Sequence, residues 1–256
     1  MLLTVDIGNT NITFGIFDKD FYVKEFRLAS DKDMSQKEYE IILKGMLKDF
    51  AINSCIAASV VDELDSKIKS ALDNVLGLNS IFISYNMDLG IGLDAQKPSE
   101  VGADRLANAA AVAQFKGIPV IVLDFGTATT FDILNSEGEF FGGIIAPGVK
   151  TQLKSLKLST SKLPEITPED SPAAIARNTK DAILSGVVRG CACMVDGLLN
   201  QCEQELGQKA MIVATGGYCK LISKYTKRNF DVVDPILTLK GLKTIYSYLE
   251  ERNFAK

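Results

Sequence analysis

The 256-residue chain contains no histidine and no tryptophan. Without histidine there is no imidazole acid–base chemistry, no His-ligated zinc and no Ser–His triad. Any general base must be Asp, Glu, Lys, Tyr or Cys. Cysteine is sparse: Cys55, Cys191, Cys193, Cys202 and Cys219 make an odd set, with neither zinc-ribbon nor Cys-x-x-Cys spacing. They read as free thiols of a reducing compartment, with Cys191 and Cys193 on one helix and pointing different ways. No block or stripe of Lys and Arg stands out against a formal net charge of −4, which speaks against nucleic acid as a partner. The sequence opens directly on a strand pattern, without a charged leader or cleavage site. No apolar stretch approaches the length of a membrane span. The expectation is a cytoplasmic protein with no membrane partner. With 46% hydrophobic and 23% charged residues, the chain can bury a substantial core.

What is present is a near-repeat. Val5-Asp6-Ile7-Gly8-Asn9-Thr10-Asn11 returns 118 residues later as Leu123-Asp124-Phe125-Gly126-Thr127-Ala128-Thr129. Each copy follows an apolar run that reads as a buried strand ending in Asp. In α/β sheets, ligands sit beyond the carboxyl ends of strands, so each Asp is delivered to a place suited to a metal or a phosphate. The following Gly lets a ligand approach the backbone, and Thr and Asn offer donors to phosphate oxygens. Asn and Gly also suit an ordinary hairpin turn. The repetition in two halves is what suggests a duplicated fold with a phosphate site. A Walker A loop would end in Gly-Lys-Ser/Thr and enter a helix; here the loop leads into a second strand, where Ile12, Phe14 and Ile16 alternate with Thr13 and Gly15.

Further strands are expected near Tyr22–Leu28, Ser54–Val61 and Ser80–Tyr85. Helices are expected after a capping box at Ser35–Glu38 and over Asp62–Leu76. Residues 86–100 form a loop of a length that is often functional. A helix spans Gly102–Phe115, and Gly117-Ile118-Pro119 marks the boundary. The second half repeats the strand, turn, strand, turn, strand order over 120–145, followed by a helix over 148–157 and a Pro-rich loop. Asp181–Leu206 reads as one long helix with Gly186, Gly190 and Gly197 on one face. That face packs either within the chain or against a second copy. Strands at Ala210–Ala214 and Asp231–Val233 and a helix over Leu239–Asn253 complete the pattern.

Six segments, in order, carry a resemblance: Asp6-Ile-Gly-Asn-Thr-Asn11, Glu100-Val-Gly-Ala-Asp-Arg105, Asp124-Phe-Gly-Thr-Ala-Thr-Thr-Phe-Asp132, Gly142-Gly-Ile-Ile-Ala-Pro-Gly148, Arg177-Asn-Thr179 and Ala214-Thr-Gly-Gly217. Together they resemble the actin-like ATPase and sugar kinase superfamily, and within it type III pantothenate kinase. The resemblance implies an α/β fold of two duplicated actin-like (ribonuclease H-like) domains, 1–116 and 117–256, with a nucleotide cleft between them. The final helix is compatible with packing back on the first domain. It also implies ATP-dependent phosphorylation of pantothenate to 4′-phosphopantothenate on the way to coenzyme A. Magnesium, a monovalent cation (potassium or ammonium) and a homodimer come with that activity.

The residue roles follow from the same resemblance. Asp104 is the candidate general base, since a carboxylate can take the proton of an attacking hydroxyl; a helix-start Asp favoured by the helix dipole is the plainer reading. Asp6 is the candidate partner of ATP-borne magnesium, which needs few carboxylates. Ile7, Gly8, Asn9, Thr10, Asn11, Ile12 and Thr13, with Thr127, are the candidate ATP and phosphate contacts. Gly216 and Gly217 lie near adenine and ribose, or else make a tight strand-to-helix turn. Gly102, Ala103, Asp104, Arg105 and Thr179 are the candidate pantothenate contacts, with Arg105 pairing the carboxylate. A surface ion pair is the alternative for Arg105, and a helix cap for Thr179. Asp124 corresponds to the ligand of the monovalent cation, and Asp132 has no assigned role. One departure stands out. The family commonly shows Tyr-x-Asn-Pro before Glu-Val-Gly-Ala-Asp-Arg, but this chain has Ala95-Gln96-Lys97-Pro98. Tyr85, at the start of the loop, is the aromatic placed to compensate. The competing reading from another class is a non-catalytic, nucleotide-binding accessory factor for transcription on the same scaffold; the retained Asp104 argues against it.

Overall fold

The first apolar run forms strand β1 (Leu2–Ile7), whose Leu3, Thr4, Val5 and Ile7 are all buried. It pairs antiparallel with β2 (Asn11–Asp18), placing Asp6 opposite Thr13 and Ile7 opposite Ile12. β2 pairs with β3 (Phe21–Ala29). On its other side β1 runs parallel to β4 (Ser54–Ser59), and β4 to the short β5 (Ile81–Phe82). The sheet order is therefore β3-β2-β1-β4-β5. Helix α1 (Gln36–Leu47) and helix α2 (Asp62–Leu76) cover one face, where Tyr39, Leu43, Leu64 and Ile68 pack on Leu3 and Val5. Ile56 and Ala58 of β4 point to the opposite face, as period-two alternation requires. There they meet helix α3 (Ala103–Val112) and the last helix of the chain through Leu106, Ala107, Leu242 and Ile245. The expected capping box is present: Ser35 Oγ accepts from the Glu38 amide, and the Ser35 amide donates to Glu38 Oε2 at 2.8 Å. Such a cap stabilises a helix by about 1 kcal/mol.

The second sheet repeats the first. β6 (Val120–Phe125), β7 (Ala128–Leu134) and β8 (Phe140–Pro147) form an antiparallel meander. After α4 (Val149–Leu158), α5 (Thr179–Leu184) runs through a π turn at Ser185–Arg189 into α6 (Gly190–Leu206). Then β9 (Met211–Thr215), α7 (Cys219–Ile222) and β10 (Val232–Val233) follow, giving the order β10-β9-β6-β7-β8. The match to the first sheet is element by element: a hairpin pair on one side of the first strand and two parallel strands on the other. α8 (Leu237–Phe254) ends the chain. The computed structural model describes residues 1–254. They form two units, Met1–Gln114 together with α8, and Phe115–Ile236.

Three expectations change. Residues 80–85 yield only the two-residue β5, because this edge segment leaves the sheet after Ile83 donates to the Ala57 carbonyl and ends on a half-exposed Tyr85. The long helix begins at Thr179, two residues early, since Asn178 caps it by accepting from the Asp181 amide at 2.9 Å. That helix, Thr179–Leu206, is also long and apolar enough to cross a membrane by length and composition, contrary to the sequence reading. Its apolar side is accounted for: Leu184, Val188, Ala192, Val195 and Leu199 lie in the core of the second unit. Cys191 is buried and Cys193 exposed, as their spacing on one helix requires. Gly186, Gly190 and Gly197 are exposed, and a side chain on any of them would meet nothing within 4 Å. Close packing within the chain does not explain them.

Candidate active site

In the first unit, β1 delivers Asp6 to its carboxyl end, half-buried, with Gly8, Asn9, Thr10 and Asn11 forming the turn into β2. Ile7 and Ile12 are fully buried, so they face the turn with backbone alone. Thr13 is half-buried opposite Asp6. Asn9, Thr10 and Asn11 are exposed. The turn is closed by the Gly8 amide donating to the Asn11 carbonyl at 3.0 Å. Ser30 latches it from β3's end: its hydroxyl donates to the Gly8 carbonyl, and its amide to the Thr10 carbonyl at 3.1 Å.

The same sheet end carries Asp104. Beyond β4, the Val60 amide donates to the Ile7 carbonyl at 3.1 Å. Gly102, the N-cap of α3, sits against Val60: a Cβ there would lie 3.3 Å from Val60 Cγ1 and 2.6 Å from Asp104 Oδ1. The chain of contacts Ile7, Val60, Gly102, Asp104 thus brings the turn and the carboxylate to one end of the first sheet. Ala103 is buried, and Asp104 and Arg105 are partly buried in the first turn of α3. Asp104 Oδ1 accepts from the Arg105 amide at 2.8 Å. Burial pushes the Asp104 carboxyl above the usual carboxylate range, and the Arg105 amide and guanidinium charge only partly offset this. The position is both helix start and buried carboxylate, and a carboxylate raised by burial takes up a proton more readily than an exposed one. The departing segment 95–98 stands nearby in sequence: Lys97 pairs with Glu100 at 2.9 Å on the surface, and Tyr85 is half-exposed.

In the second unit, β6 delivers Asp124, and Gly126 and Thr127 turn the chain into β7. Asp124 stands opposite Thr215 of the parallel β9. Gly216 follows with φ +89, and a Cβ on it would fall 2.5 Å from Asp124 Oδ1 and 2.5 Å from the Phe125 amide nitrogen. Only glycine allows that approach. Gly217 has open space around its Cα. Thr127 is exposed, and its carbonyl accepts from the Gly148 amide at 3.0 Å and from Thr151 Oγ1 at 2.7 Å. Asp124, Thr127 and Gly216 therefore share one end of the second sheet. Asp132 is fully buried in β7. Thr179 lies apart from this group, at the start of α5, and lines a cavity of about 1000 Å³ together with Thr151, Leu156, Arg177 and Gly186. Thr151 is the residue common to both places. Capping of α5 is done by Asn178, which leaves the exposed Thr179 hydroxyl to the cavity.

The profile of the type III pantothenate kinase family matches residues 2–201. The chain belongs to the type III pantothenate kinase family. A type III pantothenate kinase of Moorella thermoacetica is 38% identical over 260 residues, covering 99% of this chain and all of that protein. One of Dehalococcoides mccartyi is 39% identical over 250 residues, covering 96% and 95% of the two chains. Among solved structures, the ethanolamine utilization protein EutJ of Carboxydothermus hydrogenoformans superposes with a TM-score of 0.55 at 15% identity, over 95% of this chain and 89% of that one. A likeness that remote speaks to the fold alone, which is the two-domain, actin-like and sugar-kinase architecture.

Ser30, Val60 and Thr151 escaped the sequence reading, because each acts through a backbone carbonyl far along the chain. Gly148 closes the Gly142–Gly148 segment, and its place after Pro147 and just before a helix is its signal in the sequence. Among the described residues, no three Cys, Asp or Glu side chains gather as for a resident metal. Single carboxylates such as Asp6 and Asp124 fit cations that bring or keep other oxygen ligands, as magnesium on a nucleotide does.

Proposed function

We propose that this chain transfers the γ-phosphoryl group of ATP to the hydroxyl of pantothenate, giving 4′-phosphopantothenate and ADP. Family membership over nearly the whole length supports the activity. The observation that carries the mechanism is Asp104, a carboxylate raised by burial at the sheet end that also bears the Gly8–Asn11 turn. Asp104 accepts the hydroxyl proton as that oxygen attacks the γ-phosphorus in line with the departing ADP. Arg105 pairs the pantothenate carboxylate, with Gly102 and Ala103 beside it and Thr179 contributing a hydroxyl. Gly8, Asn9, Thr10, Asn11 and Thr127 bind phosphate oxygens through amides and side chains, and the backbone of Ile7, Ile12 and Thr13 holds that turn. The open space at Gly217 leaves room for the nucleoside, and the Gly216 backbone lies beside it. Positioning and fixed charge supply most of the acceleration in such transfers.

Asp6 is the group for magnesium arriving on ATP, directly or through water. Asp124 is the group for potassium or ammonium. Such cations supply positive charge beside the transferring group. The functional unit is a cytoplasmic homodimer. Its support is the exposed small-residue face of Thr179–Leu206, with Phe141 and Ile145 of β8 also exposed, at 52% and 66%. A second copy is the occupant that suits such a face. A non-catalytic regulator is disfavoured by the intact Asp104.

The test is product formation from ATP and pantothenate in potassium, ammonium and sodium buffers. Phosphopantothenate formed with potassium or ammonium, and strongly reduced with sodium, is expected. Folded, ATP-binding protein that makes no product in any buffer would overturn the reading.

A further inference from the structure

The Thr179 cavity has one wall without regular structure. Residues 159–178 run from the end of α4 to α5 without helix or strand, a length usually reserved for functional loops. This wall is nevertheless tied down at one buried point. Ser171 is 3% exposed, and Arg189 reaches it twice: Nε donates to Ser171 Oγ and Nη2 to the Ser171 carbonyl, both at 3.0 Å. The Ser171 amide donates to Tyr225 Oη at 2.8 Å. The Arg189 guanidinium lies over the Tyr225 ring, 4.7 Å from its centre. Three residues on, the Ala174 carbonyl accepts from Ser185 Oγ at 2.7 Å. Asn178 then caps α5.

Arg189 and Ser185 are the two ends of the π turn, in which the Gly190 amide reaches back to the Ser185 carbonyl. Single π turns inside helices commonly mark functional sites. Here the turn supplies two ties, from Arg189 and Ser185, beside the Ser171–Tyr225 hydrogen bond, for the segment that sets Arg177, Asn178 and Thr179 against the cavity. A planar guanidinium that forks onto one residue and stacks on a ring is not replaceable by lysine. We propose that Arg189 is a positioning residue for acceptor binding: it fixes the 171–179 wall and so the place of the Thr179 hydroxyl. This rests on the reading that Thr179 contacts pantothenate.

The experiment compares Arg189→Met, Arg189→Lys and Ser171→Ala with Thr179→Val in steady-state kinetics and thermal unfolding of the whole chain. The expected result is a pantothenate KM raised roughly tenfold or more in the Arg189 variants, as small misplacements of binding groups produce. The KM for ATP and kcat stay within about twofold, because the phosphate-binding turns are not touched. Arg189→Lys gives no rescue, and Ser171→Ala moves the same constant less. If Arg189→Met does not fold, Ser171→Ala and Arg189→Lys carry the test. Parallel losses in kcat, both KM values and melting temperature would show a merely structural role and overturn the inference. A raised pantothenate KM in Thr179→Val beside silent Arg189 variants would overturn it alone. A silent Thr179→Val would remove the reading beneath it, and the inference with that reading.

Discussion

The α3–α8 crossing offers a sharp perturbation, Gly241→Ala. A Cβ at 241 would lie 1.8 Å from the Ala107 carbonyl oxygen and 2.5 Å from its carbon. Non-bonded carbon and oxygen need about 3.3 Å or more, so the helices must part by more than an ångström. The obstacle is backbone, so no rotamer change relieves it. The seam between them contains the buried Leu106, Ala107, Ala110, Leu242 and Ile245, and Thr238 Oγ1 donates to Asn108 Oδ1 across it at 2.8 Å. Forced separation of such a seam costs about 3 kcal/mol, the upper end of overpacking. Because α3 carries Asp104, kcat also falls on the order of a hundredfold, the usual effect of ångström-scale misplacement. Gly45→Ala in α1 is the control: nothing lies within 4 Å of its Cβ position, and alanine in a helix stabilises by about 0.5–1 kcal/mol. Urea unfolding and turnover are the assays. Gly241→Ala behaving like Gly45→Ala in both would refute the reasoning.

Further consequences concern charge and the second sheet. The Asp104 carboxyl is raised by burial, so its protonated form stabilises the fold below the ordinary carboxylate pKa, and this is lost as pH rises through the folded value. Asp104→Asn is therefore expected to melt higher than the parent at neutral pH, with the gap closing in acid, while the acid limb of kcat/KM in the parent lies above the ordinary carboxylate range; equal melting at all pH values would contradict this. Burial pushes Glu203 up, but hydrogen bonds from Lys209, Arg228 and the Ala210 amide overcome it and hold the group below its usual range. Its stabilisation is present at neutral pH and lost as pH falls, so Glu203→Gln costs about 2 kcal/mol at neutral pH, discounted for the partly exposed Arg228, and less in acid. Chemical denaturation at two pH values checks that trend. Gly216→Ala, strained by φ +89 and driven against Asp124, is expected to raise the potassium needed for half-maximal activity roughly tenfold, while Gly217→Ala leaves it near the parent value.

Much of the fold was readable because period and punctuation agreed. The Asp-x-Gly repeat marked both leading hairpins, the Ser35–Glu38 box marked α1, and the alternation from Asn11 marked β2. Matching strand orders in the two sheets show that the repeat reported a duplicated topology. The misses have physical causes. β5 is an edge segment whose apolar run is longer than its pairing, and pairing depends on a distant partner. The start of α5 was set by Asn178 rather than Thr179, since either side chain can cap. The glycine face of the π turn and α6 could not be assigned from spacing, which is the same for inward and outward packing. At the candidate site, Asp104's place was readable from its segment, but its burial was not, because Val60 comes from a strand end more than forty residues earlier. The Ser171–Arg189–Tyr225 node had no local signature at all, being built from three separate stretches.

The most direct test of the central claim is Asp104→Asn assayed for both turnover and binding. The expected result is a loss of phosphopantothenate formation by about a hundredfold to ten-thousandfold, the range for removing a general base, with calorimetric affinities for ATP and pantothenate nearly unchanged. A variant that retains turnover within a few fold of the parent would contradict Asp104 as the base.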